Sequence, residues 1–160
     1  NLVAPMHLTR AFLPSMLSNG QGFIVNIASI AGKGGAPKAA AYSASKHGLV
    51  GFTRSLCLEL DGRGVSCCAI CPSFTPSQML DDIVEKACGA SPPWTMTTSV
   101  HAVAAACVRA VVCDKNEIIV NATPLRGAFA LNEMFPGIPL RLLRSAPNWL
   151  SGASFYRSIA

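Results

Sequence analysis

Phe23-Ile24-Val25-Asn26-Ile27-Ala28 is a short β-branched, apolar run between glycines, with Gly20 and Gly22 before it and Gly32 after it. That composition predicts a buried strand. Toward the N-terminus, Leu2, Met6, Leu13, Met16 and Leu17 recur at helical spacing from Asn1 to about Leu17. Asn19-Gly20 supplies a stop, and Pro14 is expected to kink the last turn. Toward the C-terminus a small-residue loop runs from Ser29 to about Ala41 and contains Pro37. From Tyr42 to about Leu60 the pattern is helical again, with Leu49, Phe52, Leu56 and Leu60 near one face. Asp61-Gly62-Arg63-Gly64 ends that helix, and Val65-Ser66-Cys67-Cys68-Ala69-Ile70 reads as a second buried strand. A Pro/Ser/Thr loop covers Pro72 to Ser77, and a short helix follows from Gln78 to Ala87. Ala90 to Thr98 reads as loop, a helix capped near Ser99 extends to about Cys113, and Glu117-Ile118-Ile119-Val120 makes a third strand.

The order αβαβααβ, with short apolar strands between helices, is the signature of a parallel sheet covered on both faces. The expected fold is therefore α/β, part of a doubly wound, three-layer Rossmann-type domain. Three strands leave an exposed edge, and right-handed crossover connection expects a strand ahead of the first helix. The chain accordingly reads as truncated at its N-terminus. Residues 1–120 form the sheet-bearing unit and 121–160 a less regular tail, with short helices around Leu125–Met134 and Leu140–Arg144.

Of the 160 residues, 51% are apolar and only 13% charged, which excludes disorder and predicts a large buried core. No apolar run reaches the ~18 residues of a membrane span, and no signal peptide opens the chain. A cytoplasmic location is expected, with membrane association as the alternative. The net charge of +5 is spread over Lys33, Lys38, Lys46, Arg54 and Arg63, without a run or interleaved aromatics. That pattern reads as a solvated surface plus one functional lysine and argues against nucleic acid. The tail differs, holding Arg126, Arg141, Arg144 and Arg157 against Glu133 alone. The 7 cysteines are an odd number, so a disulfide framework is not expected. Cys68 and Cys71 form a C-x-x-C inside a strand, where cysteine acts as a small hydrophobe. His7, His47 and His101 offer no second ligand pair, so no metal site is expected.

Chemistry concentrates in Ser29 and Tyr42-Ser43-Ala44-Ser45-Lys46. Tyr42 and Lys46 are four apart on a helix and share a face. A phenol with a pKa near ~10 exchanges protons poorly at neutrality. An ammonium ~4 Å away favours the phenolate by about 1–4 kcal/mol, depending on the dielectric, and the helix N-terminus adds in the same direction. Ser29 stands at a strand end, where parallel-sheet enzymes place their sites, and its hydroxyl suits a carbonyl oxygen gaining charge. Tyr-x-x-x-Lys alone is weak, arising by chance roughly one time in sixteen here; the strand end, serine and small-residue loop before it give it weight.

Ile24-Val25-Asn26-Ile27-Ala28-Ser29-Ile30-Ala31-Gly32 followed by Tyr42-Ser43-Ala44-Ser45-Lys46 resembles the active-site region of the short-chain dehydrogenase/reductase family. Asn1-Leu2 with Leu8-Thr9-Arg10-Ala11-Phe12-Leu13-Pro14-Ser15-Met16 is similar to that family's helix carrying a catalytic asparagine. Cys71-Pro72-Ser73-Phe74-Thr75-Pro76-Ser77 resembles its Pro-Gly loop. The resemblance runs from Asn1 to about Ser77 and loosely to Val120. It implies reversible hydride transfer between NAD or NADP and an alcohol/carbonyl pair. By the same resemblance Tyr42 is the general acid/base, and Lys46 holds the nicotinamide ribose and assists Tyr42. Ser29 polarises the carbonyl, and Asn1 fixes a proton-relaying water. Pro72, Ser73, Phe74 and Thr75 would flank the nicotinamide, and Ser77 would meet its carboxamide.

Two departures stand out. Ser73 replaces the family's glycine after the proline, which puts the backbone's approach to the ring in question. No Gly-x-x-x-Gly-x-Gly turn is present, and Gly32-Lys33-Gly34-Gly35 does not open a helix directly, so it makes a poor phosphate cradle. The isolated chain is therefore expected to catalyse little or nothing.

Two other classes of reading remain open on the residues: a non-catalytic scaffold domain keeping the fold, and a thiol-redox or metal protein using Cys68 and Cys71. The substrate is a small-molecule alcohol or carbonyl. Phe129, Phe135, Leu142, Leu143 and Trp149 suit a lipophilic pocket, a membrane surface or ordinary packing. Pairing through the helices that begin at Asn1 and Tyr42, which the resemblance implies, would make the full protein a homo-oligomer.

Overall fold

A computed structural model of the chain describes residues 1–35, 39–86, 92, 94–124 and 126–135. Helix α1 (Val3–Asn19) leads into strand β1 (Gly22–Ile27), and a 3-10 turn at Ile30–Gly32 precedes helix α2 (Ala40–Glu59). Strand β2 (Val65–Pro72), helix α3 (Gln78–Lys86), a 3-10 turn at Trp94–Met96 and helix α4 (Val100–Val112) follow. Strand β3 (Glu117–Val120) and helix α5 (Arg126–Met134) complete the described elements. The helix expected at Leu140–Arg144, together with Leu142, Leu143 and Trp149, lies outside the described residues.

The strands form one parallel sheet in the order β1-β2-β3, with Val25 opposite Cys68 and Ile70 opposite Ile118. Central β2 is buried along almost its whole length, as its apolar run from Cys67 to Pro72 requires. Its alternation divides the core. Cys68 and Ile70 pack with Ala106 and Ala110 of α4 on one face. Cys67, Ala69 and Cys71 face α2 on the other, through Leu49, Val50 and Leu56. Helices thus cover both faces. Each fully buried leucine here, such as Leu49 at 1% exposure, contributes about 1.5–3 kcal/mol.

Local signals end the elements where expected. Gly20 takes a left-handed φ of 62° and returns its N–H to Leu17, closing α1. Gly64, also left-handed, lies so close to the Gly20 carbonyl that a Cβ there would collide with backbone. Ser99 caps α4 by accepting from Ala102 N–H.

Three expectations need correction. First, β1 is less buried than its composition implies. Only Asn26 is buried, through a hydrogen bond from its Nδ2 to Thr53 Oγ1, and Ile27 is 45% exposed. It is an edge strand among the described residues, so one flank lacks a cover. Second, Lys33 is not a solvated base. It is 4% exposed and paired with Glu117 and Glu133, because α5 and the start of β3 close over it. Third, Cys57 and Cys67 form a disulfide between α2 and β2; the odd total says nothing about a single pair. No helix among the described residues is long and apolar enough to cross a membrane.

Candidate active site

Loops leaving the C-terminal ends of β1 and β2 meet the N-terminal turn of α2 around a cavity of about 560 Å³. Ser29, Tyr42, Lys46, Pro72 and Ser73 all line it. This is the crevice in which open parallel sheets bind ligands, and its volume suits a small-molecule site.

Each polar group is set by its local structure. Ser29, two residues past β1 in extended backbone, caps the 3-10 turn, its Oγ accepting from Ala31 N–H at 3.1 Å. A hydroxyl that accepts a backbone hydrogen bond keeps its own proton to donate, here within the cavity. Tyr42 is half-buried in the first turn of α2. Lys46, one turn on, is 8% exposed. Its Nζ lies 5.7 Å from the Tyr42 ring centroid and donates to Ile27 O at 2.9 Å. Burial lowers the Lys46 pKa from its ordinary 10.5, partly offset by the neighbouring Cys71. Gly32 is the close-approach residue that brings the 3-10 turn against α2, since a Cβ there would stand 2.6 Å from Lys46 O. It belongs to the scaffold and not to an open phosphate cradle.

The loop after β2 is tied down by its own hydroxyls. Ser73 donates from both N–H and Oγ to Val120 O, Thr75 Oγ1 donates to Ser73 O, and Ser77 Oγ donates to Thr75 O while accepting from Leu80 N–H at the start of α3. Ser73 does not adopt a left-handed conformation; Asp114 alone among the described non-glycine residues has positive φ. Serine therefore fits where the family has glycine. Phe74, Thr75 and Ser77 line the cavity beside it.

Asn1 stands apart. It is exposed and lines a second cavity of about 580 Å³ between α1 and the free edge of β1, which shares Lys46 and Ile27 with the first. The structure thus brings Ser29, Tyr42 and Lys46 together and leaves Asn1 across the lysine.

The apolar wall was only partly legible in sequence. Met79, Leu80 and Ile83 of α3 line the cavity, a stripe that helical spacing could have indicated. Met96 arrives through the bridge between Phe74 and Thr97, and Phe129 through α5.

The C-x-x-C has no shared chemistry. Residues three apart on a strand face opposite ways, so Cys68 and Cys71 enter different core clusters. Burial pushes their thiols up to about 11 and about 12. The described residues hold no group of three or more His, Cys, Asp or Glu placed for a metal.

A parallel sheet sandwiched by helices, with Ser, Tyr and Lys converging beyond its strand ends, defines the class as a Rossmann-like α/β fold. A family profile described as "short chain dehydrogenase" matches residues 1–87. The chain belongs to the short-chain dehydrogenase family. It is 42% identical over 129 residues to a ketoacyl reductase, HetN, of Nostoc sp., a match spanning 78% of this chain and 42% of that protein. It is 51% identical over 83 residues to the NAD(+)-dependent 2-dehydro-3-deoxy-L-rhamnonate dehydrogenase of Sphingomonas sp., covering 52% of this chain and 33% of that one. A solved structure of an actinorhodin polyketide ketoreductase with NADPH is similar at TM-score 0.52 and 46% identity, covering 53% of this chain and 33% of the other. The chain thus spans less than half the length of these relatives.

Proposed function

We propose that this chain carries the catalytic half of an NAD- or NADP-dependent oxidoreductase that interconverts an alcohol with a ketone or aldehyde. The observation that carries the reading is the convergence of Ser29, Tyr42 and Lys46 on one cavity.

The donor set fits the nicotinamide end of a dinucleotide. A lysine ammonium has three donors; one is spent on Ile27 O, which leaves others for ribose hydroxyls. The Pro72–Ser77 loop would flank the ring, with Ser77 toward its carboxamide. When bound, the nicotinamide supplies or accepts the hydride. Ser29 would donate a hydrogen bond to the substrate oxygen and stabilise it as charge develops. Tyr42 gives the phenolic proton to that oxygen in reduction and takes it back in oxidation. Lys46 offsets the charge left on the tyrosine oxygen. Asn1, across Lys46, would hold a water that returns protons to the lysine. The whole protein would act on a small carbonyl or alcohol compound and work as a homo-oligomer, supported by the exposed Val3 and Met6 on α1.

The test joins this chain at Asn1 to the segment of the ketoacyl reductase HetN that precedes the matched region, and follows ketone-dependent oxidation of NADH and NADPH. Tyr42→Phe is expected to lower the rate by about 10²–10⁴. A folded, dinucleotide-binding hybrid whose rate is unchanged by Tyr42→Phe would favour a scaffold role.

A further inference from the structure

One wall of the cleft is held by charges that the proposed chemistry does not use. Lys33 is 4% exposed, and its Nζ lies 3.2 Å from Glu117 Oε1 and 3.1 Å from Glu133 Oε1. Arg54 closes the cluster, with Nε 3.0 Å from Glu117 Oε2 and Nη2 3.9 Å from Glu133 Oε1. Two cations face two carboxylates, the balance a buried lysine needs to remain charged.

The next residue along the chain from Lys33 is Gly34, and a Cβ on Gly34 would touch the Phe129 ring at 3.5 Å. Phe129 and Glu133 are one turn apart on α5 and so share a face. Lys33 is thus held by α5, and Gly34, the next residue, lies beside Phe129 of the same helical stripe. A Cβ on Gly35 would meet nothing within 4 Å, and Gly35 and Phe129 both line the cavity.

Ile30, Leu80, Ile83, Met96 and Phe129 form the cleft's apolar walls. Among the described residues that line it, Lys46 alone carries a formal charge, and its Nζ is turned to Ile27 O.

Building on the oxidoreductase reading, we propose that α5, clasped at Glu133 by Lys33 and Arg54, sets Phe129 as the specificity-determining wall. It selects a substrate with a flat apolar group beside its carbonyl. Glu133 acts only through α5 and is a positioning residue.

The test measures binding to the 160-residue chain, so it needs no hydride transfer. Methyl naphthyl ketone is expected to bind, and a keto sugar acid of the same carbonyl type to bind at least about tenfold more weakly. Phe129→Ala should weaken the naphthyl ketone by about tenfold. Glu133→Gln should weaken it by about threefold and speed amide exchange across Arg126–Met134, with partial recovery in Glu133→Asp. Reduced nicotinamide mononucleotide should bind both variants as it binds the unaltered chain, which separates a lost wall from a lost fold. Equal affinity for the keto acid, or naphthyl ketone binding unchanged in Phe129→Ala, overturns the proposal. Retained ketone binding in Tyr42→Phe keeps this outcome separate from any failure of the catalytic reading.

Discussion

Two cavities of nearly equal volume, about 560 and 580 Å³, lie on either side of Lys46 and share Ile27 as a wall. On one side, strand-end loops bring in Ser29, Tyr42 and Ser73. On the other, α1 and the free edge of β1 contribute mainly apolar groups, among them Leu8, Phe12 and Phe23, with Asn1 at one end. Size does not separate them, but chemistry does. A site needs polar groups aimed at one reacting atom, and parallel strands place such groups only beyond their C-terminal ends. The groove beside β1 brings no such set together, and the cleft beyond β1 and β2 is the candidate site.

The largest way to break this contrast is a matched pair of substitutions in the hybrid enzyme described above. Tyr42→Phe on the cleft side should cost about 10²–10⁴ in rate, whereas Leu8→Ala, at a side chain 59% exposed in the groove, should change it little. Ser29→Ala follows, with an expected loss of about 10²–10³ in kcat, as for removal of one oxyanion donor. Asn1→Ala, which reaches the centre only through Lys46, should cost less than Ser29→Ala. A loss from Leu8→Ala as large as that from Tyr42→Phe would erase the distinction.

Lys46, the divider, gives a pH test. Its pKa in the folded chain lies below the ordinary 10.5 because burial disfavours the ammonium. Below the folded pKa, the full cost of burying the charge is present. Between the folded pKa and 10.5 the unfolded chain binds more protons, so stability rises with pH. Denaturant midpoints should therefore climb through that window, and Lys46→Met should flatten the slope. A fall in stability across the window would contradict the burial assigned to Lys46.

The smallest effect concerns the cysteines. Cys68 and Cys71, buried and with thiols pushed up to about 11 and about 12, should resist alkylation in the folded chain while exposed Cys113 reacts. Cys71→Ala should leave hybrid turnover nearly unchanged; its loss would revive a thiol-redox reading.

The fold was legible wherever one segment carries its own signal. The apolar run of β2 from Cys67 to Pro72, the Gly20 stop and the Ser99 cap each act within a few residues. Ser29, Tyr42 and Lys46 were legible as candidates because a strand end and one helical turn fix their spacing. What escaped depends on contacts between distant segments. Lys33 looks like a surface base until Glu117, 84 residues on, and Glu133 close over it. Asn1 could be matched by resemblance, but its side of Lys46 is set by the packing of α1 on β1. The tolerance of Ser73 follows from a backbone angle and a bond to Val120 O, neither of which a residue name reveals.

The most direct measurement is an amide chemical-shift titration of the 160-residue chain with reduced nicotinamide mononucleotide. Weak binding, around millimolar, is expected, with shifts concentrated at Ser29, Tyr42, Lys46 and Ser73 and abolished in Lys46→Met. Shifts centred instead on Leu8, Phe12 and Phe23, or none at saturating ligand, would contradict a nicotinamide site on the cleft side of Lys46.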